Sequence, residues 1–326
     1  SRAAMQITAD IFGLPASRPH TFEASGLGAA IDAAVGPDGS LLFDAAPSSF
    51  YRVTPDGKIY AIGGDGGDSE SEGLPFSEVD IHAPEGIDVG PDGTLYIAER
   101  GYNRVRKVTP DGLVHTVAGR RSDDGGFAGD GGPAVEALLR DPYDVAISPD
   151  GNLYILDAGN GVVRRVGPDG IIQTVAGTPG VSGTGPEDNG DGGPASRAVL
   201  GDPNRIALGP DGSLFIADPA ARCIRRVVPS GLITTVAGTG QAGYEGDGGP
   251  ATDALLSCPE SVAVGRDASI YIGDDCNGTV RRVTPAGIIE TFAGDPGAPD
   301  NCYGCPAWQA DLSGLNGLAV GPDGAL

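Results

Sequence analysis

The stretch DPYDVAISPDGNLYILDAGNGVVRRVGPDGIIQTVAG, Asp141 to Gly177, holds four short apolar segments: DVAI, NLYIL, VVRRV and IIQTVAG. Val, Ile and Tyr dominate them, as strand surfaces favour. Pro-Asp-Gly turns separate the first segment from the second and the third from the fourth. Connections this short join antiparallel neighbours only. The stretch reads as a four-stranded antiparallel meander.

Its turn recurs along the chain. GPDG or a near copy starts at Gly36, Gly90, Ser148, Gly209, Gly265 and Gly321, at spacings of 54, 58, 61, 56 and 56 residues. Six such sheets, each with two faces to bury, predict an all-β fold: a six-bladed β-propeller occupying residues 1–326 as one domain. The period exceeds the roughly 40–50 residues usual for propeller repeats. The excess lies in the connectors, which carry GDGGPA at Gly129–Ala134, Gly190–Ala195 and Gly246–Ala251. Proline suits a first helical turn, and the following apolar run (Ala251, Ala254, Leu255, Leu256 in one copy) can cover an open sheet end. Each connector is therefore expected to hold a short capping helix, with the Asp meeting its free N–H groups. A phosphate loop would need the missing Gly-Lys-Ser/Thr. A calcium loop at Glu187–Gly193 is the alternative, although the EF-hand spacing is absent.

Leu95–Gly119 and Gly246–Gly294 resemble NHL repeats, and the version with GDGGPA resembles the propellers of teneurins and of bacterial Rhs/YD-repeat surface proteins. That resemblance implies a six-bladed NHL propeller in a secreted or cell-surface protein, used for recognition. Relatives of this architecture include enzymes, so the fold leaves function open.

The sixth copy, LNGLAVGPDGAL, stops after one strand, a turn and the start of a second. An open blade would expose sheet edges. Residues 1–28, through strands at Met5–Phe12 and His20–Ser25, are expected to complete it; the competing reading places the missing strands beyond Leu326.

A ligand would sit at the channel mouth, built by the residues that lead into each first strand. Aligned on the turns, these are Glu85, Tyr143, Asn204, Glu260 and Asn316, followed by Gly86, Asp144, Arg205, Ser261 and Gly317. Asp88 stands where the other copies carry alanine and needs a partner, either a cation or Arg205. Gluconolactonase-like propellers hold one divalent ion with carboxylate and amide oxygens, a chemistry that Glu85, Asp88, Asn204 and Glu260 could imitate with Ca2+. The plain alternative is an ordinary wet mouth. NHL-type lyases use a set of histidines to hold zinc, which His20, His82 and His115 cannot supply. The RR pairs in the third strands, such as Arg164–Arg165, are expected to be structural, one Arg on each face meeting acids such as Asp157, Asp218 and Asp274.

Of the five cysteines, Cys302 and Cys305 are expected to form one disulfide and Cys258 and Cys276 another, leaving Cys223 free in an oxidising compartment. A net charge of −23 argues against nucleic acid and anionic membranes. No apolar run reaches the ~18 residues of a membrane span. The first expectation is a non-enzymatic extracellular or cell-surface propeller that binds a protein or glycan, or packs on further domains of its own chain. The second is a metal-dependent hydrolase or lyase, lactonase-like, acting at the channel mouth.

Overall fold

The computed structural model describes residues 30–45, 48–67, 70–122, 124–181, 190–296, 306–310, 312–314, 317–321, 324 and 326. The strands expected at 5–12 and 20–25, the loop acids at 187–189, Asn316, and the Cys302–Cys305 pair lie outside the described residues.

Four consecutive antiparallel strands form each blade. In blade three they are Pro142–Ile147, Leu153–Asp157, Val162–Val166 and Ile172–Ala176. Blade one starts at Ala30–Val35, blade two at Pro84–Val89, blade four at Arg205–Leu208 and blade five at Pro259–Val264. These five first strands pack side by side in chain order and form the inner wall. Strand alternation divides the core into layers between blades. In the second strand of blade three, Leu153 and Ile155 enter the layer shared with blade two. Their neighbours Tyr154 and Leu156 enter the layer shared with blade four. Ile155 is fully buried, which contributes about 1.5–3 kcal/mol by apolar burial alone.

The blade count corrects the sequence expectation: the described residues form five blades of four strands, not six. Residues 317–321 of the sixth copy carry no strand. Leu318 and Val320 instead pack with Ala263 and Tyr271 of blade five. The connector helices are likewise single three-residue 3-10 turns, Ala134–Glu136, Ala195–Arg197, Ala251–Asp253 and Ala307–Gln309. The chain turns extended again at Ala137, because Ala134, Ala137 and Leu139 must all reach the core within six residues.

GDGGPA acts as a clasp on the blade that follows it. Gly131 N–H donates to the Ile172 carbonyl (2.8 Å), Ile172 N–H to that of Gly132 (3.1 Å) and Ala134 N–H to that of Gly170 (2.8 Å). The motif thereby covers the outer edge of blade three, and its other two copies bond blades four and five in the same way. The Asp of the motif does not cap the 3-10 turn. Asp130 instead accepts from Arg164 (2.6 Å), Asp191 from Arg225 (2.5 Å) and Asp247 from Arg281 (2.5 Å). All three arginine side chains are fully buried. Second oxygens of Asp191 and Asp247 accept the backbone N–H of Thr235 (2.8 Å) and Thr291 (3.0 Å). In blade two a two-residue strand, Leu74–Pro75, covers the same edge, and Glu72 accepts from the Thr116 N–H (2.8 Å).

A second repeated device lies at the end of the second strand in blades two to five. Glu99, Asp157, Asp218 and Asp274 are fully buried and accept backbone N–H groups of His82, Arg140, Gly201 and Ser257. Each acid ties its strand to the segment that enters its own blade. Burial pushes the Asp157 and Asp274 carboxyls up to about 6, against the hydrogen bonds that hold them down. In blade five Cys258 and Cys276 are disulfide-bonded, with Cα atoms 5.4 Å apart. The bond joins segments that are linked in blade three by the Gly159 N–H to Arg140 carbonyl bond (3.0 Å), whose counterpart runs from Cys276 to Ser257 (3.1 Å). Cys223 is free and buried, and burial pushes its thiol up to about 12.

Candidate functional site at the channel mouth

The entry to each inner strand is irregular in a way that presents side chains to the mouth. In blade three, Pro142 pairs with Asp157 and Asp144 with Leu156, so Tyr143 is an extra residue with no cross-strand partner. Glu260 is the extra residue between Pro259 and Ser261, and Glu85 lies in the shift between Pro84 and Ile87. Bulges of this kind re-aim a side chain, and here they set the mouth residues apart from the alternation of the wall. Asn204 stands just before its strand and donates its N–H to the Ala217 carbonyl (3.0 Å).

The mouth residues fall into two connected groups. Arg100 donates to Asp141 (3.1 Å) and Glu85 (3.2 Å), which raises its pKa further. The guanidinium carbons of Arg100 and Arg205 stand 5.8 and 5.0 Å from the centre of the Tyr143 ring. Burial raises the Tyr143 hydroxyl pKa, and the Glu85 charge adds to it. In the other group the Asn204 amide donates to Glu260. Burial also raises the Glu260 pKa, opposed by that bond and assisted by the Asp275 charge.

Asp88 and Asp144 do something else. The Asp88 carboxylate accepts the N–H of Val89 (2.7 Å) and of Ile147 on blade three (2.8 Å). Asp144 repeats the arrangement one blade on, with Val145 (2.9 Å) and Ile206 of blade four (2.7 Å). Both acids staple adjacent inner strands. The partner that Asp88 needs is thus found in backbone amides. At Gly86 a Cβ would stand 2.1 Å from an Asp144 oxygen, so that position takes no side chain while Asp144 lies across it.

Glu85, Asp88, Asn204 and Glu260 were grouped as ligands for one divalent ion. The structure joins Asn204 to Glu260 but gives Glu85 to Arg100 and Asp88 to backbone amides. Among the described residues no three His, Cys, Asp or Glu side chains converge to hold a metal ion. The sequence reading did not pair the clasp acids with their arginines. The signal was present, because Asp130–Arg164, Asp191–Arg225 and Asp247–Arg281 share a separation of 34 residues.

Residues 122–188 match the family model described as the Teneurin NHL domain. The chain is 29% identical to Teneurin-m of Drosophila melanogaster over 248 residues, covering 69% of this chain and 9% of that protein. It spans a tenth or less of the length of the curated teneurins it matches. Among solved structures, an auxiliary nutrient binding protein of Bacteroides ovatus aligns with TM-score 0.57 and 17% identity, covering 81% of this chain and 60% of that one. A nidogen/laminin complex chain aligns with TM-score 0.53 and 18% identity (80% and 77%). A gluconolactonase of Xanthomonas campestris gives TM-score 0.53 and 16% identity (81% and 76%). These structural likenesses establish the propeller fold, which binders and enzymes share. Together, the family match over residues 122–188 and the teneurin relatives support an NHL-repeat β-propeller of the teneurin type.

Proposed function

We propose that the propeller is a recognition scaffold, extracellular or at a cell surface, that binds a protein or glycan partner or packs on further domains of a longer chain. The observation that carries this reading is the fate of the loop motif. GDGGPA, a loop motif weighed for phosphate or calcium chemistry, bonds to the outer edge of the blade that follows it. The mouth carboxylates are committed in the same manner, to Arg100, Asn204 and backbone amides. What remains is a rigid, acidic surface, and the charge of −23 suits it to a basic partner. Trp308, the single tryptophan, is 61% exposed on the clasp turn after blade five. Tryptophan is enriched among residues that dominate binding energy. The Cys258–Cys276 bond supports an oxidising compartment.

The test is binding of the biotinylated propeller to protein and glycan arrays at low and high salt, with Trp308→Ala and the pair Glu85→Ala and Asp88→Ala alongside. Recognition predicts salt-sensitive binding that Trp308→Ala weakens and the mouth substitutions leave in place. Turnover of lactones or esters that the mouth substitutions abolish would overturn it.

A further inference from the structure

We infer that the cleft between blades one and two is a binding site for the aromatic ring of a small molecule, a property separate from the partner-binding surface. The cleft lies at the end of the propeller that carries the Pro-Asp-Gly turns, and its volume is about 640 Å3. That falls within the roughly 300–1,000 Å3 of small-molecule sites, which are mostly apolar. Leu42 and Ile62 line it from blade one, Val89, Leu95 and Val108 from blade two, and Phe76 from the connector between them. Leu95, Val108 and Phe76 are buried, so an occupant would sit below the surface.

The repeat shows what this layer lacks. The place of Leu42 in the second strand is taken by Tyr96, Tyr154, Phe215 and Tyr271 in the other four blades. Those rings pack towards the next blade: Phe215, for one, shares a cluster with Ile270 and Val283 of blade five. Leu95 and Val108 are the counterparts of these two residues in blade two. The receiving wall is therefore kept between blades one and two, while the ring that meets it elsewhere is replaced by a leucine. An aromatic ring carries a large apolar area to bury in such a place.

The polar fittings around the ring are kept as well. Arg52 is the cross-strand neighbour of Leu42, as Arg226 is of Phe215 and Arg282 of Tyr271. The guanidinium carbons of Arg226 and Arg282 stand 5.8 and 6.0 Å from their ring centres. Arg226 also donates to Asp211 (2.5 Å) and Ser213 (3.0 Å). Arg52 makes the same two bonds, to Asp38 and to Ser40 (3.0 Å). Such bonds run along the edge of the guanidinium plane and are compatible with a ring against its face, as blade four shows. Arg52 and Asp38 both line the cleft. With the exposed acids Asp38 and Asp111 at the rim and an apolar wall within, the site suits an uncharged ring such as a phenol.

The experiment is ligand-observed NMR and calorimetric titration of the full chain with p-cresol, with 4-methylcyclohexanol as the non-aromatic control. Leu42→Tyr installs the residue that three other blades carry, and Leu42→Phe the residue of blade four. p-Cresol is expected to bind saturably and more tightly than the control, and both Leu42 variants are expected to exclude it. Arg52→Gln should weaken binding about threefold by removing the cation from the ring face. Thermal melting checks that the variants fold; should Leu42→Tyr not fold, Leu42→Phe decides. No saturable p-cresol binding at millimolar concentration would overturn the inference. Binding unchanged in the Leu42 variants, or a control that binds as well as p-cresol, would do the same. A tyrosine-bearing peptide that occupies the cleft where p-cresol does not would assign it to a partner's side chain, and the small-molecule inference would fall.

Discussion

Replacing Asp247 by alanine removes the acid from a clasp whose arginine has nowhere to go. The Arg281 side chain is fully buried, while Asp247 is 46% exposed. The lost contacts are the charge-assisted bond from Arg281 (2.5 Å), the Thr291 N–H (3.0 Å) and the Thr291 hydroxyl (2.7 Å). A hydrogen bond to a charged group contributes about 1.5–3 kcal/mol, and stranding a buried charge costs about 3–5 kcal/mol. Two features reduce the figure. Water reaches the exposed acid and screens the pair, and Arg281 retains Asp274 at 3.8 Å and the Leu255 carbonyl at 3.4 Å. The expected loss is about 3 kcal/mol of folding stability.

Arg281→Met should remove the stranded charge and fill much of the same space, so the double variant should be more stable than Asp247→Ala alone. The assay is urea unfolding followed by far-UV circular dichroism, arranged as a double-mutant cycle. Asp130→Ala and Asp191→Ala should behave alike, because their pairs have the same spacing and similar exposure. A loss below about 0.5 kcal/mol at all three sites would mean the pairs act as ordinary surface ion pairs, and the clasp argument would fail. So would a double variant with strictly additive losses.

Ala268 in blade five has φ +63°, where the equivalent Gly151 of blade three has φ +84°. Ala268→Gly should stabilise by about 1 kcal/mol, read as a raised urea midpoint; no change would show that the turn carries no strain. Asp157 and Asp274 hold carboxyls raised to about 6 from the ordinary 3.8. Between those values the folded chain binds protons that the unfolded chain has released. Their contribution is therefore fully present below the unfolded value and is lost as pH rises through about 6. The slope is at most roughly 1.4 kcal/mol per pH unit for each group. Urea midpoints measured from pH 4 to 7 should fall across this window, and Asp157→Asn should flatten the slope; a rising profile would refute the assignment. Reducing the Cys258–Cys276 bond, which closes a sequence separation of 18 residues, should cost about 3 kcal/mol. Melting with and without reductant checks this, using Cys258→Ser with Cys276→Ser as the reference.

The blades were legible because two periodicities coincide in one stretch. Alternation within NLYIL sends Leu153 and Ile155 one way and Tyr154 and Leu156 the other, and the Pro-Asp-Gly turns fix where each strand reverses. Local patterns of this kind carry strand and turn, but they do not carry completeness. Six turn copies implied six blades, although the last copy offers one strand's worth of pattern and a ladder needs four. The channel site was half legible for a related reason. Position along the repeat singles out Glu85, Tyr143 and Glu260, because bulged entries recur at the same offset from each turn. The partners of Asp88 and Asp144 were hidden, since they are backbone amides of the next blade and leave no mark on residue identity. The same limit applied to GDGGPA, whose acid was assigned to its own turn when its true partner lies 34 residues on. That separation is constant in three copies because a connector and the third strand it grips are laid down by one repeat unit. In a repeat protein, a pair of opposite charges that keeps its spacing from copy to copy is therefore the sequence-level mark of a contact repeated within each unit.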